Sequence, residues 1–357
     1  MKYAKLFNKK ATPQSQPIPG SGQVPNSAGG YTWKVDLWAQ LDRFLILGSE
    51  DGTYYIGERK LTLENVKNLM ACLSVDGERA VARIVEISHE GRAPKNDPAI
   101  FALAVAASHG NDKTRAAALA ALPAVCRTGT HLFQFAEAVD GLRGWGRGLR
   151  KAVGRWYNNK SAAELQYGLV KYAQRGGWSH RDLLRLAHPV PTTEEHKALY
   201  AFACKGVEAL GERREAFALI EAVQRLKTAD AKAAAAIIRE SGVPREGVPT
   251  ELLTQPLVWD ALLEAMPMTA MIRNLGTMSK IGLLTPGSDA AKTVVERLGD
   301  VERLRKSRVH PMALLVALKT YASGRGLKGK GEWKSAPKVI DALDAAFYTA
   351  FANVEPT

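Results

Sequence analysis

One segment of the chain, from Gly141 to His188, concentrates the side chains that could bind a polyanion. It contains ten Lys or Arg residues and two acids, which gives +8 over 48 residues, whereas all 357 residues together carry +13. Six aromatic side chains lie among these charges. Because like charges repel unless an anion lies opposite, this density favours a phosphate-binding face over a solvated helix surface without a ligand. The cations are Arg143, Arg147, Arg150, Lys151, Arg155, Lys160, Lys171, Arg175, Arg181 and Arg185.

The second half of this segment is predicted to form two short helices joined by a glycine turn. Leu165 to Gln174 has helical spacing, and Lys171 and Arg175 lie four residues apart in it. Residues at this spacing share one face of a helix. Gly176 and Gly177 are expected to end the helix in a left-handed conformation. The two cations would therefore point in the same direction.

The second of these helices is predicted to begin at Ser179, with Asp182 as the acidic half of a capping box. Arg181, Arg185 and His188 then fall at i, i+4 and i+7, and they form an outer stripe opposite the leucines of the same segment. Two consecutive helices would thus present cations on either side of a tight turn.

The composition restricts the class of protein and its partners. The chain is 46% hydrophobic, enough for a large core, and its pI of about 9.6 favours nucleic acid or an anionic membrane as a partner. No uninterrupted apolar run of about 18 residues could span a membrane, and the first residues lack the apolar stretch of a secretory signal. Three widely spaced cysteines form neither a disulfide framework nor a zinc site, which fits a reducing interior. We therefore expect a cytoplasmic protein.

The pattern along the chain predicts an all-α protein. Residues 1–30 are expected to be a flexible segment, since residues 11–30 are rich in Pro, Gly, Ser and Gln and carry no charge. From Tyr31 the chain is predicted to fold, with a helix over Trp33–Leu47 and a short strand-like piece at Gly48–Tyr55. Short Ala-rich amphipathic helices follow to the end, an arrangement typical of an α-solenoid with degenerate repeats.

Signals for catalysis are weak. Gly324 to Gly329 matches GxGxxG, but a helix precedes it instead of a strand, so a basic loop near phosphate is favoured over a dinucleotide site, and a plain flexible turn over both. The sequence contains no HExxH, GxSxG or phosphate-loop lysine motif and no paired cysteine ligands. In the string Met266–Gly276 the apolar residues are predicted to be core, with Arg273 and Asn274 as polar exceptions on a concave surface. We expect no enzyme activity, no cofactor and no bound metal.

Several long strings in this sequence resemble one family. They are RGWGRGLRKAVGRWYNNK, LVKYAQRGGWSHRDLLRLAHP, MPMTAMIRNLG and LDAAFYTAFANVEPT, preceded by YTWKVDLWAQLDRFLILGSEDGTYY. In unbroken order from about Tyr31 to Thr357, they are similar to the Ro autoantigen, or TROVE-domain, family. Members of that family usually continue into a von Willebrand factor A domain with a DxSxS metal site. This sequence ends at Thr357 without that motif, as would a trimmed form or a TROVE-only member, and we assign no metal.

The resemblance implies both a fold and a function. The fold is a TROVE domain over residues 31–357, a ring of HEAT-like helical repeats. The function is binding of Y RNA on a basic outer surface and of single-stranded 3′ ends of misfolded noncoding RNA in a central hole, in small-RNA quality control and decay. Exoribonucleases such as polynucleotide phosphorylase are implied partners, and a monomer is expected. In the family motif the Y RNA contacts fall on Lys171, Arg175 and His188.

The charge pattern and the resemblance together give a set of candidate RNA-binding residues. An alternative that the sequence leaves open is a helical-repeat scaffold for acidic protein partners. A nuclease is disfavoured, because clustered acids or a His/Lys pair are not evident. The candidates are Lys171, Arg175, His188, His180, Arg181, Arg185, Arg147, Arg150, Lys151, Arg273, Arg325 and Lys328.

Overall fold

Helices dominate the N-terminal half, as the amphipathic pattern predicts. The computed structural model describes residues 13, 15–26, 29–48, 58–326 and 331–354. Two short hairpins interrupt the helices: β1 (Gln23–Pro25) pairs with β2 (Tyr31–Trp33), and β3 (Gln174–Arg175) pairs with β4 (Trp178–Ser179), both antiparallel. The helices are α1 (Leu37–Leu47), α2 (Glu58–Glu90), α3 (Asp97–His109), α4 (Asp112–Val125), α5 (Gly129–Leu142), α6 (Arg147–Asn158), α7 (Ala162–Lys171), α8 (His180–Ala187) and α9 (Glu194–Lys205).

The C-terminal half consists of shorter helices, with 3-10 segments between some of them and after the last one. The 3-10 segments are Val207–Ala216, Arg245–Gly247, Leu252–Thr254 and Ala350–Asn353. The helices are α10 (Ala218–Leu226), α11 (Ala231–Ser241), α12 (Pro256–Ala265), α13 (Met268–Lys280), α14 (Asp289–Gly299), α15 (Val301–Ser307), α16 (Pro311–Ala322) and α17 (Pro337–Thr349). Within the described residues, no helix is long and apolar enough to cross a membrane.

The first hairpin corrects two predictions about the N-terminus. Gln23–Pro25 belongs to the segment predicted to be flexible, yet its backbone pairs with β2, and Asn26 and Gly30 close the loop through hydrogen bonds. Trp33 was predicted to be helical but ends β2. The first helix begins later because the side chain of Asp36 caps it. The strand-like piece expected at Gly48–Tyr55 lies almost wholly outside the described residues.

The buried residues form two hydrophobic clusters in sequence order. The first runs from Leu41 to Ile220 and the second from Ala222 to Ala350, so the division falls within α10. The methionine-rich string belongs to the second cluster, where Met268, Met271, Ile272 and Leu275 are buried, as predicted from their helical spacing.

A hydrogen bond joins distant parts of the chain. The guanidinium of Arg308, just after α15, donates to the backbone carbonyl oxygen of His89 at the end of α2. Gly91 lies against the same arginine side chain. Because 219 residues separate the two partners, this contact closes the array of helices on itself. The elements that form it were not indicated by the sequence pattern.

Candidate nucleic-acid interface

Helix α6 presents cations on one side and an apolar face on the other. Arg147, Arg150 and Lys151 are exposed, as predicted, and so is Arg155 one turn further on. The opposite face packs against α4 and α8. The buried residues of α6 are Leu149, Ala152, Val153, Gly154, Trp156 and Tyr157. A helix of this composition holds its charges in water by burying its other face.

The predicted common helical face of Lys171 and Arg175 was wrong. Helix α7 ends at Lys171, and Arg175 belongs to strand β3, opposite Trp178. Gly176 and Gly177 have φ of +58° and +83°, so they form the two-residue turn of a hairpin instead of a helix stop. The hairpin packs against α5, and Arg175 is exposed to solvent.

Lys171 is half-buried and surrounded by tyrosines. Its Nζ donates to the Tyr167 hydroxyl at 3.1 Å and lies 5.1 Å and 5.5 Å from the ring centroids of Tyr167 and Tyr172. Partial burial lowers the pKa of Lys171, but the hydrogen bond to Tyr167 and nearby negative groups outweigh it, so the pKa is raised. The amine is therefore charged and held in a fixed position.

Helix α8 carries the predicted outer stripe. Ser179 and Asp182 form the predicted capping box, with Asp182 N–H donating to Ser179 Oγ and Ser179 N–H donating to the carboxylate. Arg181 and Arg185 are exposed on one face. His188 is also exposed and ends the helix in the left-handed conformation, with φ 46° and ψ 53°.

His180 is not on this surface, contrary to its place among the candidate RNA-binding residues. Its ring is buried, with Nδ1 2.7 Å from the Tyr157 hydroxyl and its centroid 4.9 Å from that of Phe133. Burial lowers its pKa to about 4, so the ring is neutral at physiological pH. The signal was present in the sequence, since His180 precedes the buried Leu183 and Leu184 at i+3 and i+4 and so belongs to the apolar stripe.

A groove between α8 and α9 adds a cation that sequence reasoning missed. Arg181 and Arg185 line it on one side, and the exposed Lys205 at the end of α9 lines it on the other. The groove holds about 1190 Å³ of space, partly open to solvent. Lys205 follows Arg185 by twenty residues and a proline-rich break, so only packing brings them together.

The four tryptophan and tyrosine side chains of the basic segment that do not contact Lys171 divide into two groups. Trp156 and Tyr157 are core residues and cannot stack on a base, whereas Trp145 and Trp178 are half-buried with ring centroids 6.0 Å apart. Lys160 lies 4.2 Å from the Trp156 ring centroid, and burial lowers its pKa. Lys160 therefore contributes more to packing against Trp156 than to the cationic surface.

Among the residues that the structure describes, the exposed cations of α6, α8 and β3 have no carboxylate partner. In the part of the chain that the structure describes, none of Arg147, Arg150, Lys151, Arg181 and Arg185 forms an ion pair. The described part of the chain also contains no group of three or more His, Cys, Asp or Glu side chains placed to hold a metal. Such a surface attracts a polyanion over several ångströms.

Comparison with known proteins agrees with this arrangement of helices. Residues 24–320, most of the chain, match the TROVE domain. The chain belongs to the TROVE-domain family. The RNA-binding protein RO60 of Caenorhabditis elegans is 36% identical over 425 residues, covering 98% of this chain and 66% of that protein. The RNA-binding protein RO60 of Deinococcus radiodurans is 37% identical over 357 residues, covering 99% and 66%.

A solved TROVE-family structure has the same fold. The crystal structure of the Deinococcus radiodurans RO (RSR) protein is 35% identical and superimposes with a TM-score of 0.70, covering 90% of this chain and 65% of that chain. The predicted family and the predicted all-helical ring are thereby confirmed. The chain spans 66% of the length of its two curated TROVE relatives.

Three remaining candidates lie elsewhere in the TROVE chain. Arg273 is exposed on α13, and Arg325 is exposed after α16, where its backbone forms an isolated bridge with Glu332. Both lie in the part of the chain that forms the second hydrophobic cluster, whereas α6 and α8 belong to the first. Lys328 lies outside the described residues.

Proposed function

We propose that this chain binds structured noncoding RNA of the Y RNA type on the cationic surface formed by α6, the β3–β4 hairpin and α8. One observation carries the proposal: within the described part of the chain, the exposed arginines and lysines there lack carboxylate partners, and they belong to elements fixed by a shared core. The names of the two curated relatives, both RNA-binding proteins, support the same partner. Contacts to the phosphates and 2′-hydroxyls of the RNA suffice for such a ligand, because side chains cannot read the deep major groove of duplex RNA.

The finer role extends this proposal. Free single-stranded 3′ ends of misfolded RNA would enter the central opening of the ring, reached by Arg273 and Arg325. The protein would act in the cytoplasm as a monomer in small-RNA quality control and decay, alongside exoribonucleases such as polynucleotide phosphorylase. It would not catalyse a reaction itself. The family resemblance supports these statements.

A salt titration of RNA binding tests the proposal. The variant combines Lys171→Ala with Arg175→Ala, and the control combines Lys227→Ala with Lys232→Ala, which removes the same charge from exposed positions just after α10 and on α11. Each lost phosphate contact lowers the slope of log affinity against log salt by roughly 0.7 to 0.9. We expect the first pair to lower the slope by roughly 1.4 to 1.8, and the control to leave it unchanged.

Two results would count against the proposal. Equal slopes and affinities for both double variants would show that the hairpin surface does not contact RNA. Binding of an acidic protein in preference to structured RNA at the same salt concentration would favour the scaffold alternative.

A further inference from the structure

A second cleft lies where the two halves of the molecule meet. Helix α7 of the first half forms one wall, and α11, α12 and α13 of the second half form the others. The cleft contains about 550 Å³ of space not filled by protein atoms, part of it open to solvent. A ligand held there would therefore lie partly within the cleft and partly in solvent.

The walls of the cleft are held together by close backbone contacts. A side chain at Gly247 would come within 2.9 Å of Val170 on α7, so the 3-10 turn can approach that helix only because residue 247 is glycine. The side-chain oxygen of Gln166 on α7 accepts hydrogen bonds from the backbone N–H groups of Leu219 at 2.8 Å and Ile220 at 3.2 Å, which start α10. These contacts fix α7, which forms one wall, against the 3-10 turn Arg245–Gly247 and against the start of α10.

Most of the lining is apolar. Ile238, Ala261 and Leu262 form buried wall, while Met266 and Ala270 are half-buried nearer the opening. Side chains of this kind can pack against an apolar or aromatic face and remove it from water.

A small number of polar groups interrupt this lining. Lys171 reaches the cleft with its amine bonded to Tyr167, and Glu246 lies close enough to contribute to the raised pKa of that amine. Asn274 donates one amide hydrogen to the carbonyl oxygen of Ala270 at 2.8 Å. Its Oδ1 and its second amide hydrogen have no partner among the described residues, and an amide uses such a pair of groups to read a base edge.

We propose that this cleft receives one unstacked nucleobase of single-stranded RNA, with the adjoining phosphate on Lys171 and the base edge against Asn274. The inference rests on the proposed function, because it assumes that RNA reaches this protein. A base in a duplex is stacked and paired, so only an unpaired nucleotide can enter. Lys171 would thus contact a single strand through the cleft between the halves, in addition to its role beside the hairpin.

The test fills the cleft without changing charge. Ala270→Leu adds three carbon atoms to a half-buried wall residue, and Thr277→Leu on the exposed side of the same helix is the control. The probe is a 15-nucleotide single-stranded RNA with one 2-aminopurine, compared with a blunt duplex of the same sequence. We expect Ala270→Leu to weaken single-strand binding about tenfold and to remove the 2-aminopurine signal. The duplex should bind as tightly as to the unmodified chain.

Asn274→Ala is the second variant, since it enlarges the cleft and cannot overpack it. It should also weaken single-strand binding, by threefold or more, the value of a lost hydrogen bond. If both variants bind the single strand as tightly as the Thr277→Leu control, the cleft holds no base and the inference is overturned. An oligoglutamate peptide that displaces the strand only when Ala270 is intact would make the cleft a peptide site and overturn it as well. An unmodified chain that binds neither RNA would overturn the proposed function itself.

Discussion

The hydroxyl oxygen of Tyr157 lies 2.7 Å from Nδ1 of His180, and this buried contact joins the two helices that carry most of the surface cations. Tyr157 belongs to α6 and His180 to α8, and both side chains are almost completely inaccessible to solvent. The arginines on the outer faces of the two helices are therefore held at a fixed spacing by a neutral hydrogen bond beneath them. A surface fixed in this way loses less conformational entropy when a rigid RNA binds.

Tyr157→Phe should destabilise the protein and weaken RNA binding together. The substitution keeps the ring but leaves Nδ1 of His180 without its partner, which costs about 1 to 3 kcal/mol for a buried polar group. Urea unfolding followed by circular dichroism would measure the loss in free energy of unfolding. Tyr348→Phe is the matched control, because that tyrosine is 66% exposed and should change nothing. Equal stability of the two variants would contradict this role for the hydrogen bond.

Stability should fall as the pH is lowered from about 6.5 to about 4. Burial lowers the pKa of His180 to about 4, and burial together with the charge of Arg127 does the same for His131. An unfolded histidine has a pKa of about 6.5. Between these values the unfolded chain binds more protons than the folded one, so the stability present above pH 6.5 is lost on acidification. The slope should approach about 1.4 kcal/mol per pH unit for each histidine.

His180→Gln provides the control for this pH dependence. It removes one of the two depressed histidines, so the slope of unfolding free energy against pH should fall by roughly half. Urea unfolding at several pH values between 4.5 and 8 measures both slopes. A slope that does not change in the variant would mean that the pKa of His180 is the same in the folded and the unfolded chain.

Local spacing was enough to predict some parts of the interface, and packing decided the rest. Ser179 and Asp182 lie three residues apart, so the cap and the start of α8 follow from sequence alone. Two adjacent glycines, in contrast, fit a helix end and a hairpin turn equally well. The backbone leaves the helix at Tyr172, which put Arg175 on a strand. Lys205 reaches the groove beside α8 only through the packing of α9, and no periodicity could indicate that.

The two turn glycines should matter for RNA binding more than for global stability. Gly176→Ala and Gly177→Ala each place a side chain at a positive φ, which costs about 1 to 2 kcal/mol, although neither meets a steric clash. The hairpin is short and exposed, so the strain should open it locally and release Arg175. We expect structured-RNA affinity to fall several-fold while the unfolding midpoint changes little. Gly141→Ala, on α5 with open space around it, is the control.

Arg308→Ala should loosen the contact that closes the ring. The guanidinium of Arg308 is bonded to the carbonyl oxygen of His89, so its removal leaves α2 and α15 without this link. Hydrogen exchange should become faster at the amides of residues 309–310 and 88–92 and stay unchanged in α6 and α8. Arg305→Ala, which removes an exposed arginine from the last turn of the same helix, should have no such effect. Equal exchange in the two variants would place the closing contact elsewhere.

His188→Gly should weaken RNA binding without lowering the free energy of unfolding. The histidine ends α8 in a left-handed conformation, which costs a non-glycine residue roughly 1 to 2 kcal/mol. Glycine avoids this strain, but it loses more backbone entropy on folding. Stability should therefore be unchanged or rise by up to about 1 kcal/mol. RNA affinity should fall about threefold to tenfold, because the exposed imidazole and the hydrogen bond that we propose it makes to RNA are lost. Val190→Ala is the control, because this exposed residue lies two positions further on and the change should alter neither quantity.

Calorimetry for stability and gel shifts for RNA affinity, on the same samples, separate the two effects. Unchanged RNA affinity in His188→Gly would restrict His188 to a role in ending the helix.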